Sequence, residues 1–212
     1  EVVCIFPDMA GSSKGKILPV ERFVKSFEEQ SLRLADSVFG QTVSGKWVYQ
    51  SEVIDYVEED LFMAPDLSTI RKIPWNKEPT AQIICDLNYS SNEPSKLAPR
   101  QVLKNIIKQL KEAELKAVVA PELEFYLCEQ NLDPDLPLKT PIGKSGRRET
   151  GSRVFGIDAV NEFDKLTDDI YDYCELMNIG VDTLVHESGP SQIEINLNHG
   201  DPLALADQAF MF

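Results

Sequence analysis

The residues that invite chemistry are four glutamates on two short apolar segments. In "AVVAPELEFYL" (117–127), Glu122 and Glu124 stand two positions apart; in "HESGPSQIEIN" (186–196), Glu187 occupies the corner and Glu194 the run after it. Alternate side chains of a strand point to opposite faces. On the first segment Leu123, Phe125 and Leu127 therefore share one face, and Glu122, Glu124 and Tyr126 the other. On the second, Ile193, Ile195 and Leu197 share one face, and Gln192, Glu194, Asn196 and Asn198 the other. Neither strand carries a lysine or arginine to neutralise these acids. Same-face neighbours lie about 6–7 Å apart, so the anions repel wherever water is excluded. Two readings stay open. The face is an ordinary solvated one, or its carboxylates converge on a cation. An all-oxygen donor set selects a hard ion such as Mg²⁺ or Mn²⁺. A third reading, a hydrolase with a glutamate pair as acid and base, uses Glu122 and Glu124 but leaves Glu187 and Glu194 idle.

Composition narrows the field. The 212 residues are 42% hydrophobic and 26% charged, enough for one large core or two smaller ones. With 35 acidic against 21 basic side chains the formal net charge is −14. That balance, without a long basic run, argues against nucleic acid as a partner and mainly reflects solubility. Cys4, Cys85, Cys128 and Cys174 form no CxxC pair and read as small buried hydrophobes in a reducing compartment. With only His186 and His199 available, a His/Cys zinc site is not expected. No apolar run reaches the roughly 18–20 residues of a membrane span, and no signal peptide opens the chain. A cytoplasmic protein without membrane partners is expected. The first residues already read as strand and the last as the middle of a helix, the pattern expected of a fragment of a longer protein.

The carboxylates need elements to position them. "VVCIFPD" and "KGKILPV" read as a hairpin across a Gly/Ser turn, followed by an amphipathic helix over "PVERFVKSFEEQ". Residues 36–60 are mixed and loop-rich, with "VSGKW" as a turn signal; "DLFMAPDLSTI" and "TAQIICDL" read as strands. The polar stretch "NYSSNEPSKLAP" is the best domain boundary, dividing 1–96 from 97–212. Pro99 opens a helix over 99–115, and the strand 117–128 follows. Residues 130–151 form a long loop carrying Lys144, Arg147 and Arg148. A helix is expected over 159–178, closed by Gly180, then strands "VDTLVHE" and "SQIEINLN", and a helix capped by Asp201 with Pro202 at its first position.

"APELEFYL", "HESGPSQIEIN" and "HGDPLALADQ" together resemble the glutamine synthetase superfamily. "FPDMAGSSKGKILP" is similar to that family's opening strand pair, and "ICDL" with "APRQVLKNIIKQL" to its entry into the catalytic domain. "GKSGRRETGSRVFGIDAVNEFDKLTDDIYDYCE" and "GVDTLVHESGPSQIEINLNHGDPL" look most like the γ-glutamylpolyamine (γ-glutamylputrescine) synthetase branch. The resemblance implies an α+β fold, with a β-grasp N-terminal domain and the first part of a catalytic domain built on a curved antiparallel sheet. It implies homo-oligomeric rings, commonly two stacked hexamers. It also implies ATP-dependent phosphorylation of the glutamate γ-carboxylate and attack by an amine on the γ-glutamyl phosphate, with Mg²⁺ or Mn²⁺. On that basis Glu124, Glu187 and Glu194 match the ligands of one metal site and Glu122 a ligand of a second. Asp182, Asn198 and His199 fall at nucleotide-side positions. The family's remaining second-metal ligands, substrate-binding arginines and flap acid find no counterpart before Phe212, so the chain alone is expected not to turn over. The family's Asp-Gly-Ser-Ser loop, whose acid handles ammonium, corresponds here to "LADSVFGQTVSGKW". That departure, with Asp36 displaced, favours an amine larger than ammonia. Glutamine synthetase itself and a non-catalytic relative are the alternatives.

Overall fold

The computed structural model describes residues 1–48, 59–90 and 93–212. The elements in chain order are β1 (Val2–Pro7), β2 (Ser13–Leu18), α1 (Val20–Glu29), β3 (Arg33–Ala35), β4 (Asp60–Pro65), β5 (Arg71–Lys72), β6 (Ala81–Ser90), β7 (Glu93–Pro94), α2 (Pro99–Glu112), β8 (Glu122–Tyr126), α3 (Ile157–Asn161), α4 (Asp164–Leu176), β9 (Val181–His186), β10 (Gln192–Leu197) and α5 (Pro202–Met211). The architecture is α+β. None of the helices among the described residues is long and apolar enough to cross a membrane.

The chain forms two compact units, 1–117 with 202–211, and 118–201 with Phe212. In the first, β1 and β2 pair antiparallel as the expected hairpin. Its turn is drawn tight by Asp8, whose Oδ1 accepts the backbone N–H groups of Ala10 and Ser12 at 2.9 and 2.8 Å. Gly11 takes the left-handed conformation at φ 76°, which costs glycine little. The sheet runs β2-β1-β6-β4-β3, with β1 parallel to β6 and β4 antiparallel to it. Cys4, Leu61, Ile83 and Leu87 fill the core at 2% exposure or less. Arg100, at the start of α2, is buried and donates to Asp66 in the β4–β5 connection, Asp86 on β6 and Asp207 on α5. This ion cluster ties four parts of the unit together. The turn expected at "VSGKW" is closed by a bridge between Gln41 and Trp47. Residues 49–58 of the expected loop and 91–92 of the expected boundary lie outside the described residues.

The second unit carries a three-stranded antiparallel sheet, β8-β10-β9. Several expectations need correction here. The strand expected over 117–128 is regular only over 122–126, because Pro121 has no N–H to donate. Pairing resumes beyond it as a bridge between Val119 and Gly200. The helix expected over 159–178 breaks into α3 and α4. At the break, the Glu162 carbonyl turns to accept the Lys144 N–H at 3.1 Å, and its carboxylate accepts the Ser145 N–H at 2.9 Å. The left-handed residue closing α4 is Asn178, at φ 54°, rather than Gly180. Cys128 is exposed, unlike the other three cysteines.

Candidate metal centre

The site lies wholly in the second unit, on one face of its sheet. Period-two alternation puts Ile193, Ile195 and Leu197 on the buried face of β10, at 1%, 0% and 2% exposure. The intervening Glu194 is forced onto the opposite face. The register of β10 with β8 sets Glu194 directly across from Glu124 and Asn196 across from Glu122. Glu187 follows the end of β9, and its N–H donates to the Gln192 carbonyl at 2.8 Å. This bond carries the antiparallel pairing one residue past β9, so Glu187 continues the face of Thr183 and Val185, which pair with Asn196 and Glu194.

One ligand oxygen from each of Glu124, Glu187 and Glu194 lies within 4.8 Å of the other two. Glu124 is exposed and the other two are half-buried. Each carboxylate is aimed by a neutral donor: Gln192 Nε2 to Glu124 at 2.6 Å, Ser188 N and Oγ to Glu187 at 2.9 and 3.1 Å, and Asn196 Nδ2 to Glu194 at 2.8 Å. These bonds orient the acids without cancelling their charge. Three mutually close carboxylates, oriented but without an ion-pair partner among the described residues, are suited to a hard divalent cation. Oxygens bound to one hard cation lie about 2.0–2.6 Å from it, so carboxylates this close to one another can share an ion.

Glu122 shares the face but stands outside the three-carboxylate group, exposed across from Asn196. Asp182 is exposed on β9, where the pairing with β10 shifts register. Asn198 and His199 are exposed just beyond β10, with the Asn198 N–H held by the Gly180 carbonyl at 2.8 Å. No contact draws these three toward the carboxylates among the described residues.

The sequence reading passed over the supports. Gln192 bridges the site, since its Oε1 accepts the Gly189 N–H at 2.8 Å while its Nε2 holds Glu124. Gly189 leaves room for its neighbours: a Cβ there would lie 2.5 Å from the Tyr126 hydroxyl and 2.9 Å from Gln192 Oε1. Glu149, from the long loop, reaches the turn that carries Glu187. Its Oε2 lies 2.9 Å from His186 Nε2 and accepts the Ser191 N–H at 2.6 Å. Side-chain alternation had marked the face of Gln192, whereas nothing in "GRRETG" signals Glu149.

Comparison with known proteins bears on all of this. Residues 96–212 match the family described as "Glutamine synthetase, catalytic domain". γ-Glutamylputrescine synthetase of Escherichia coli strain K12 is 31% identical over 199 residues, covering 93% of this chain and 42% of that protein. Glutamine synthetase of Methanocaldococcus jannaschii is 30% identical over 214 residues, covering 98% of this chain and 43% of the relative. The chain thus spans less than half the length of these relatives. A crystal structure described as a novel glutamine synthase homolog superposes with a TM-score of 0.78 at 17% identity, over 98% of this chain and 45% of that one. That likeness speaks to the fold.

Proposed function

The chain belongs to the glutamine synthetase family, and we propose that the full-length protein is an ATP-dependent ligase joining the γ-carboxylate of glutamate to an amine through a γ-glutamyl phosphate. The observation that carries this reading is the convergence of Glu124, Glu187 and Glu194 within 4.8 Å, inside the segment that matches the family's catalytic domain. In this reading the three carboxylates hold Mg²⁺ or Mn²⁺. That ion supplies charge neutralisation for the transferred phosphoryl group and a fixed point for the two reactants. The chain's own part is orientation: Gln192, Ser188 and Asn196 fix the three carboxylates before the ion arrives. Glu122 belongs to a second metal site, and Asp182, Asn198 and His199 to the nucleotide side. The division at 96/97, a β-grasp N-terminal domain, assembly into a homo-oligomeric ring and a cytoplasmic location are parts of the same proposal. The hairpin β1–β2, the helix after it and the parallel β1–β6 pair support the β-grasp reading.

The amine is proposed to be larger than ammonia and polyamine-like. The loop corresponding to the ammonium-handling segment supports this. Its acid, Asp36, is buried, with its carboxylate facing the Glu59 N–H at 3.2 Å and the Tyr89 hydroxyl at 3.5 Å. Burial first, and then the Asp36 charge, push the Tyr89 phenol up, and the two contacts turn Asp36 into its own unit. The likeness to the Methanocaldococcus enzyme, nearly equal in identity, favours ammonia as the second reading. ADP release by the full-length protein with glutamate, Mg²⁺ and a panel of amines separates them. Release with putrescine-like amines but little with ammonia is expected. Ammonia alone would sink the polyamine assignment, and no amine-dependent ADP would sink the ligase. Glu124→Ala should abolish Mn²⁺ binding; unchanged affinity would remove the metal site.

A further inference from the structure

The Glu187 turn is built on strain and buried polar bonds that the metal ligands do not explain. Ser191 adopts φ 56°, a left-handed conformation that costs a non-glycine residue about 1–2 kcal/mol and persists only where the surroundings enforce it. Ser191 and His186, at the two ends of the turn, are 0% and 1% exposed. One group touches both ends. Glu149 Oε2 accepts the Ser191 N–H at 2.6 Å, lies 3.4 Å from the Ser191 hydroxyl and faces His186 Nε2 at 2.9 Å. The other ring nitrogen, Nδ1, lies 2.7 Å from the Glu187 carbonyl. A carbonyl only accepts, so Nδ1 carries a hydrogen and donates it to the backbone of the ligand residue itself. The chain Glu149–His186–Glu187 is therefore continuous, and Glu149 is only about one-tenth exposed along it.

Resting on the metal reading above, we infer that Glu149 is a positioning residue: it clamps the 186–191 turn from the long loop and thereby sets Glu187 against Glu124 and Glu194. Outer partners of this kind hold a metal site's ligands in their binding geometry, and their loss commonly weakens metal binding by about 10–100-fold. Both contacts end on one carboxylate oxygen, Oε2. A leucine at 149 keeps a side chain of comparable size but offers no acceptor, so the bonds to His186 and Ser191 are both lost.

The test is a Mn²⁺ titration of the full-length protein, with free ion followed by electron paramagnetic resonance and folding followed by circular dichroism and melting. Glu149→Leu is expected to bind Mn²⁺ about 10-fold more weakly or worse while retaining native circular dichroism. His186→Asn keeps a donor near the Glu187 carbonyl but loses Nε2, and should show a similar loss. The double variant should be no weaker than the weaker single within about twofold, because both break one connection. A folded Glu149→Leu protein with wild-type Mn²⁺ affinity overturns the inference, even if it melts lower, since that is the behaviour of a merely structural acid. Should Glu149→Leu not fold, His186→Asn decides alone by the same criterion. Glu124→Ala run alongside separates the two levels. If it abolishes binding while Glu149→Leu leaves it unchanged, only the clamp falls; if it binds normally, the metal site falls and the clamp with it.

Discussion

Replacing Glu194 by glutamine should make the metal-free protein more stable and the metal-loaded protein less so. Glu194 sits directly opposite Glu124 and takes part in two of the three carboxylate pairs that lie within 4.8 Å. Two unit charges at that distance repel by about 0.9 kcal/mol at a dielectric constant near 80 and about 3.5 kcal/mol near 20. Glu124 is exposed and its partners are half-buried, so the lower part of that range applies, and salt with a screening length of about 8 Å trims it further. About 1 kcal/mol per pair gives about 2 kcal/mol of strain relieved. Glutamine keeps the oxygen that accepts from Asn196 at 2.8 Å, so the change is chiefly electrostatic. At about 2–4 °C per kcal/mol, the variant should melt several degrees above wild type in EDTA. With Mn²⁺ at about 100 times its dissociation constant, wild type gains about 2.7 kcal/mol, while the variant, lacking one ligand charge, gains much less. The two melting curves should exchange order. Scanning calorimetry of the full-length proteins at matched ionic strength, in EDTA and in Mn²⁺, measures both halves. Equal melting in EDTA would refute the uncompensated cluster, and equal Mn²⁺ shifts would refute Glu194 as a ligand.

Three further outcomes follow from neighbouring contacts. Gly189→Ala puts a methyl 2.5 Å from the Tyr126 hydroxyl and 2.9 Å from Gln192 Oε1; exposed Tyr126 can swing into solvent, so the melting temperature should move little while the Mn²⁺ affinity falls as the Gln192 amide is displaced, and unchanged affinity would show that Gln192 does not aim Glu124. Arg100→Met strands Asp66, Asp86 and Asp207, which lie 2.7 Å from its guanidinium; a loss of about 3 kcal/mol is expected in denaturant titrations, and full stability would show the cluster to be dispensable. Asp66 sets a pH signature: burial pushes its carboxyl up, but Ser68 and Arg100 outweigh that and hold it below the usual value. Its contribution is therefore present above the unfolded carboxyl range, near pH 3.9, and lost as pH falls through the lower folded value. In Arg100→Met that depression is lost, so stability should fall less steeply than in wild type as pH drops below about 3.9, and parallel acid limbs would contradict the assignment.

What could be read in the sequence followed the physics of each element. Glu124 and Glu194 were legible because Ile193, Ile195 and Leu197 want burial, and a strand has no third direction for the residues between them. Alternation does not report which strand pairs with which, so the placement of Glu194 directly across from Glu124 could be seen only in the register. Pro121 was visible, and its missing N–H explains why β8 begins only at Glu122. The break between α3 and α4 was not visible, because the apolar period runs through Glu162. The backbone bond from Lys144 that ends the helix there spans 18 residues. Glu149 is the extreme case. It lies in a segment of turns with no period, and its partners His186 and Ser191 are 37 and 42 residues away. A buried anion is costly unless its partners are in place, so its position makes sense only once the turn it holds exists. The ligands of such a site are written in side-chain alternation, and the groups that aim them are written in tertiary contacts. That division explains why the four glutamates could be named from the sequence and the clamp could not.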